Sequence, residues 1–240
     1  MEEVCRRIST WQIASQKAKI LPTVFLENHD QPRSVSRIGD EGKYRYESAT
    51  ALGGITLLHR GVPFLFQGQE IGLTNSYHEK IEDFNDVESL QYYELNKRKI
   101  PEKELIKKIN FGGRDNARYM MPWDEKCQKS WIKPYTKQAE INVAGDARAE
   151  KSVYKFYQKL IALRKKEKCL TQGEYQCKEI SKNRYVFERV YKKEKLVIVC
   201  NFEKETPFEK VEGEVLINNY PSVEGKLQPY QFIVYKPKEK

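Results

Sequence analysis

Apolar and polar positions follow two different rhythms along the chain, changing near residue 173. Residues 4 to 19 place Val4, Ile8, Trp11, Ile13 and Ala18 at approximately helical spacing, and Pro22 ends the helix that this predicts. Thr23-Val24-Phe25-Leu26 is a short apolar run of β-branched and aromatic residues, the pattern of a strand buried on both faces. Tyr44 to Leu58 reads as a second helix stopped by Gly61 and Pro63, and Val62 to Phe66 as a second buried strand. Helix, strand, polar loop, repeated, is the unit of an α/β fold with a parallel sheet, in which the loops after the strands hold the chemistry.

Residues 74 to 150 are long, polar and irregular, with candidate helices at 86 to 98 and 101 to 107. The aromatic stretch Tyr119-Met120-Met121-Pro122-Trp123-Asp124 and the Gly112-Gly113 turn argue for order there. Between Ser152 and Lys166, Val153, Phe156, Tyr157, Leu160, Ile161 and Leu163 recur at threes and fours, predicting an amphipathic helix that packs back on the first part. Beyond Gly173 the rhythm becomes alternation, in Tyr185 to Val190, Leu196 to Cys200, Glu214 to Ile217 and Gln231 to Tyr235. The expected organisation is therefore an α/β part over residues 1–173 and a small antiparallel β-sandwich domain over 174–240.

Composition narrows the function. With 39% hydrophobic and 12% aromatic residues the chain can build real cores, and no run of eighteen apolar residues or secretory leader is evident, so a cytoplasmic protein without a membrane role is expected. The net charge of +9 comes from 43 basic residues interleaved with 34 acidic ones, as in Lys165-Lys166-Glu167-Lys168. Such mixed runs mark solvated faces, and no stacking-aromatic or helix-turn-helix pattern accompanies them, which speaks against nucleic acid. Cys5, Cys127, Cys169, Cys177 and Cys200 are odd in number and far apart, with three histidines in the whole chain, which points to free thiols and no metal site. His59 and His78 read as packing or loop histidines, and Tyr44 and Tyr46 as core. Trp123 suits either a sugar platform or a buried anchor for its loop.

The chemistry concentrates directly after the first strand, where Glu27, Asn28, His29, Asp30 and Arg33 fall within seven residues. Asn-His-Asp can cap a helix and Pro32 can rigidify a turn. A cap alone does not call for a carboxylate, an imidazole and a guanidinium together. The group suits stabilisation of a cationic, oxocarbenium-like sugar, with His29 and Asp30 gripping ring hydroxyls.

Asn28-His29-Asp30-Gln31-Pro32-Arg33 resembles the last active-site block of glycoside hydrolase family 13, in the form found in oligo-1,6-glucosidases and related α-glucosidases. Gly61 to Asn75, Arg114-Asp115-Asn116-Ala117-Arg118 with Pro122-Trp123-Asp124, Glu140 to Val143 with Leu160 to Lys165, and Leu227-Gln228-Pro229-Tyr230 resemble further blocks in the family's order. The resemblance implies the C-terminal part of a (β/α)8 barrel followed by the β domain, and a retaining α-glucosidase acting on short α-linked gluco-oligosaccharides. It implies Asp30 as the transition-state-stabilising carboxylate, His29 as a ligand for the hydroxyls of the cleaved sugar, Arg114 as the arginine recognising the non-reducing-end glucose, and Gln31 and Arg33 as lining the neighbouring subsite. Gln69 stands where relatives commonly carry a glutamate, and Tyr119-Met120-Met121 replaces a more usual approach to the tryptophan, which bears on substrate preference.

No cofactor is implied, and no ligands of a structural calcium can be placed. None of the 28 residues before His29 resembles the blocks that carry the nucleophile and the acid/base, so the chain is expected to be inactive alone and to need an N-terminal half to complete the barrel. Open sheet edges and an uncovered apolar face are expected with it. The alternative is a non-catalytic sugar- or partner-binding remnant of the family.

Overall fold

The computed structural model describes residues 1–126, 131–209, 213–223 and 225–238. Helix α1 (Glu2–Lys17) leads to strand β1 (Thr23–Val24), followed by α2 (Ser34–Ile38), α3 (Arg45–Leu58) and strand β2 (Val62–Pro63). Next come α4 (Val87–Asn96), α5 (Glu102–Gly112), α6 (Val143–Arg148), α7 (Val153–Lys166) and α8 (Lys168–Thr171). The rest is strand: β3 (Glu174–Ile180), β4 (Arg184–Tyr191), β5 (Glu194–Asn201), β6 (Thr206–Pro207), β7 (Gly213–Asn218), β8 (Lys226–Leu227) and β9 (Phe232–Pro237). β3 alternates over Glu174 to Lys178, with Tyr175 and Cys177 between polar residues, but the alternation is short and carries few large apolar side chains, and the sequence expectation passes over it.

β1 and β2 pair in parallel, Thr23 opposite Val62 and Val24 opposite Pro63. They are not buried on both faces as the sequence suggests. Phe25 is 47% exposed, Val62 48% and Phe64 55%, because among the described residues the pair has no further strand beside it. Apolar composition reports what a segment can bury, and here more apolar surface is offered than these residues cover.

α1 corrects the sequence in a different way. Its inward face is Cys5, Ser9, Gln12 and Ser15, while Trp11 and Ile13 point to solvent. The attachment is made by two glutamines acting as surrogate peptide groups. The Gln12 amide donates to the Arg60 carbonyl at 2.8 Å and accepts from the Arg60 N–H at 2.9 Å. Gln16 accepts from the Tyr175 N–H at 2.7 Å and donates to its carbonyl at 3.3 Å. Hydrogen bonds to backbone replace apolar contact on this face, so periodicity finds the helix but not its buried side.

The C-terminal strands form one antiparallel five-stranded sheet in the order β3-β4-β5-β9-β7. Along β4, Tyr185 and Phe187 face inward while Val186 and Glu188 face out. The inward face, with Leu196, Ile198, Phe232 and Val234, packs on Leu52, Ile55 and Leu58 of α3 and on Phe156, Tyr157 and Leu160 of α7 as one continuous core. On the opposite face Val197, Val199 and Ile233 are covered by the short β6-β8 pair through Leu227 and Phe208. The second layer of the expected sandwich is thus a two-stranded ribbon. Cys5, Cys169, Cys177 and Cys200 are free thiols, and Cys127 lies outside the described residues.

The joint between α3 and the sheet holds two buried basic side chains, Arg189 and His59, and a half-buried one, Arg164, with no carboxylate among their hydrogen-bond partners in the described residues. Arg189, 0% exposed, donates to the Leu58 and Gly173 carbonyls at 2.6 and 2.9 Å. Arg164 donates to the carbonyls of Leu57, His59 and Gly61. His59 Nδ1 meets the Ile55 carbonyl at 2.5 Å, its Nε2 meets the Tyr185 hydroxyl at 2.8 Å, and its ring stacks on Phe187 at 4.4 Å. The carbonyls of Ile55, Leu57 and Leu58 among these belong to the last turn of α3, where cations complement the helix dipole. Burial pushes the Arg189 pKa down to about 9 and that of His59 down to about 3.

Candidate functional site

The loop after β1 divides its polar residues between two levels. Asn28 accepts the Asp30 N–H on its side-chain oxygen at 2.9 Å, a tight turn that lifts His29 and Asp30 to the rim. The His29 side chain is 71% exposed and that of Asp30 46%, with Nε2 and Oδ2 3.1 Å apart. Glu27 and Arg33 lie underneath, paired at 3.1 Å with side chains 1% and 2% exposed.

Arg33 is therefore not available to line a subsite, contrary to what the resemblance implies. Its Nε donates to the Asn116 carbonyl at 3.0 Å, its Nη1 to the Gln67 carbonyl at 2.8 Å, and its backbone N–H to Asn75. One guanidinium thus ties the loop after β1 to the loop after β2 and to the 114–118 segment. Glu27, the other member of the apparent rim cluster, accepts from Arg33 and from both the N–H and hydroxyl of Ser34, which starts α2. Gln31 is half-buried and is engaged by Arg37.

The Arg114–Ala117 turn faces two ways. Asp115 accepts the backbone N–H groups of Asn85 and Asp86, while Asn116 bonds Ser76, Asn110 and Gly113, so these two residues pin the segment down. Arg114 and Arg118, one turn apart, project toward the acids. Arg118 Nη2 lies 3.0 Å from Asp30 Oδ1 and its Nε donates to the His29 carbonyl at 3.0 Å. Arg114 Nη1 is 3.5 Å from Asp30.

Behind both arginines sits Asp86, its side chain 2% exposed, 2.8 Å from Arg114 Nη2 and 3.1 Å from Arg118 Nη1. Asp86 also caps α4 by accepting the Ser89 N–H at 3.1 Å. Burial pushes the Asp86 carboxyl up, but the hydrogen bonds from Arg114 and Ser89 outweigh this and hold it below its usual range. The same bond, which Arg114 donates to Asp86, raises Arg114 further, so the guanidinium stays charged.

The structure thus brings His29, Asp30 and Arg114 together and sets Gln31 beside them. Arg118 and Asp86 are members that sequence reasoning missed. The four-residue spacing of Arg114 and Arg118, with an acidic helix start at Asp86, is the signal that could have found them. Trp123 is 57% exposed, which removes the buried-anchor reading. Gln69 is 3% exposed and bonds Thr56 across to α3, so it supports the loop from inside.

A solvated carboxylate beside an imidazole, held from behind by two arginines and set in the loop after a parallel strand, is an arrangement that holds vicinal hydroxyls and developing positive charge. The chain belongs to the alpha-amylase family: residues 1–173 match the family model described as the alpha amylase catalytic domain.

Among its relatives, the oligo-1,6-glucosidase of Parageobacillus thermoglucosidasius is 34% identical over 98% of this chain and 46% of that protein. The trehalose-6-phosphate hydrolase of Bacillus subtilis is 34% identical over 95% of this chain and 45% of its own length. The crystal structure of Bacillus licheniformis trehalose-6-phosphate hydrolase superposes with a TM-score of 0.92 at 33% identity, covering 99% of this chain and 47% of that one. The chain spans about half the length of the relatives it matches. Among the described residues no helix is long and apolar enough to cross a membrane.

Proposed function

We propose that this chain supplies the sugar-gripping and charge-stabilising side of an α-glucosidase active site for short α-linked gluco-oligosaccharides. One observation carries this reading: Asp30 is held at the rim, beside His29, by Arg118 and Arg114, with Asp86 fixing both arginines. Asp30 stabilises the cationic transition state, His29 and Arg114 bind ring hydroxyls, and Gln31 borders the adjoining sugar position. No cofactor enters the proposed chemistry.

A retaining mechanism needs a nucleophile and an acid/base roughly 5 Å apart. Asp86 is locked between two arginines and Glu27 is buried in its own ion pair, so neither is free to serve. The two reacting carboxyls come, in this reading, from an N-terminal half of the barrel. That half pairs with β1 and β2 and covers Phe25, Val62, Phe64 and Leu65, leaving residues 174–240 as the β domain behind it.

The binding part of the reading is tested by titrating the chain with glucose and isomaltose while following backbone amide resonances. Shifts centred on residues 28 to 31 and 114 to 118, lost in Asp30→Asn, are the expected result. Sugar binding that Asp30→Asn leaves unchanged overturns it.

A further inference from the structure

Arg33 at the start of α2 and Arg37 in its last turn both reach back to the loop after β1, but they do different things there. Arg33 ties the base of the loop to its neighbours. Arg37 grips the loop from both ends: its Nη2 donates to the Leu26 carbonyl at 2.8 Å, where the strand gives way to the loop, and its Nη1 donates to the side-chain oxygen of Gln31, beyond the Asn28 turn. His29 and Asp30 lie between these two points. The remaining donor, Arg37 Nε, is buried and has no hydrogen-bond partner among the described residues. A buried donor without an acceptor is unfavourable, so the fork onto the loop is what holds this guanidinium in place.

We propose that Arg37 is a positioning residue that fixes Gln31 as a hydrogen-bond donor at the rim. What that donor meets rests on the reading of Asp30 as the sugar-gripping carboxylate. A guanidinium carries donors and no acceptor, so the group it bonds on Gln31 has to be the carbonyl oxygen, and turning the amide over would set N–H against N–H. With its oxygen committed to Arg37, Gln31 has its NH2 left to offer. Nε2 donates to no group among the described residues and is not shut off from solvent.

Asp30, the residue before it, is an acceptor only when ionised. The rim therefore sets a fixed acceptor next to a fixed donor. A sugar hydroxyl can give its proton to Asp30, while the oxygen that faces Gln31 has to present a lone pair, as a hydroxyl, ring or glycosidic oxygen does. Holding the amide in one orientation before the ligand arrives spares the cost of ordering it on binding. A lysine at position 37 would not do this, because an ammonium lacks the planar fork that spans Leu26 and Gln31 together.

Gln31→Glu separates this role from a structural one. The carboxylate keeps the bond to Arg37 and strengthens it with charge, yet it presents no N–H. Stability and ligand binding are then expected to move in opposite directions.

The experiment follows the Gln31 side-chain amide by NMR and titrates isomaltose into wild type, Gln31→Glu, Arg37→Met, the variant combining these two changes, and Asp30→Asn, with a melting curve for each. Without ligand, a Gln31 side-chain carbonyl carbon downfield of that of a solvated glutamine, returning to the solvated position in Arg37→Met, is the expected result. A carbonyl carbon already at the solvated position in wild type overturns the proposal. With isomaltose, the Gln31 NH2 signals should shift in wild type, and Gln31→Glu and Arg37→Met should each bind about three- to tenfold more weakly, the weight of one or two hydrogen bonds, while Gln31→Glu melts no lower than wild type. Because Arg37 acts through Gln31, the combined variant should bind no more weakly than Gln31→Glu alone. Additive losses overturn the proposal, as does undiminished binding by Gln31→Glu. If Gln31→Glu loses affinity while Asp30→Asn keeps it, the positioning by Arg37 stands and the reading of Asp30 fails. The reverse pattern leaves Asp30 standing and removes Gln31 as a donor. A displaced carbonyl carbon in a chain that binds no isomaltose supports the orientation by Arg37 and overturns the sugar reading.

Discussion

Replacing Arg33 with alanine removes the tie between three loops, and its cost follows from the contacts. The guanidinium is 2% exposed, donates to Glu27 and to the carbonyls of Gln67 and Asn116, and stacks over the Phe66 ring at 5.3 Å. Alanine leaves the buried Asn116 carbonyl and that of Gln67 short of a donor, and leaves Glu27 as a buried charge supported by Ser34 alone. Breaking a buried pair in this way costs about 3–5 kcal/mol, mostly the cost of the stranded partner. At roughly 2–4 °C per kcal/mol for a chain of this size, the melting temperature should fall by about 6–20 °C. Thermal melts by circular dichroism measure the loss, and hydrogen exchange should show residues 114 to 118 opening with the loop after β1. Because each single change strands the other member of the pair, Glu27→Gln combined with Arg33→Met should cost less than the sum of the two. A loss below about 1 kcal/mol for Arg33→Ala, or additive costs in the double variant, refutes the assignment of Arg33 as a structural tie.

Three further outcomes follow from the same structure. His59 has its folded-state pKa pushed down to about 3, against 6.5 when unfolded, so the unfolded chain binds the extra proton between these values. Its stabilising contribution is complete above pH 6.5 and is lost as pH falls toward 3, by up to about 1.4 kcal/mol per unit. Urea titrations at several pH values should show this slope in wild type and a reduced one in His59→Phe, and identical slopes would contradict it. Gly54→Ala places a Cβ 2.2 Å from the Phe232 ring where α3 meets the sheet, and should cost about 1–3 kcal/mol, whereas an unchanged melt would refute that close approach. Asp86→Asn keeps an α4 cap but removes the charge behind Arg114 and Arg118, so it should weaken isomaltose binding about tenfold and lower the melting temperature as well. Equal binding would show that Asp86 does not position the arginines.

Much of this architecture was legible in the residues because it is written in periodicity. Val153 to Leu163 repeat at threes and fours and form α7, and the alternation of Tyr185, Phe187 and their neighbours forms β4. What escaped is written in hydrogen bonds. Gln12 and Gln16 anchor α1 through backbone groups that no apolar count registers. Arg189 and Arg164 look like surface charges in sequence, yet they cap α3 because its carbonyls face the sheet.

At the site, local density singled out His29 and Asp30, whose side chains stand side by side at the rim. The same density drew Glu27 and Arg33 into the rim, although the turn at Asn28 sends them below it. Arg118 and Asp86 stand 88 and 56 residues from Asp30 in sequence, and only the folded chain brings them together.

The central claim is that Asp30 and its arginines are one side of a glucosidase site whose reacting carboxyls lie on a complementary half. The direct measurement combines this chain with the portion of Parageobacillus thermoglucosidasius oligo-1,6-glucosidase that precedes its matched region, and follows glucose release from isomaltose. Activity from the combined halves, absent from each alone and reduced about 10²–10³-fold by Asp30→Asn, is the predicted result. Hydrolysis by this chain alone, or halves that assemble into a folded complex without activity, would contradict it.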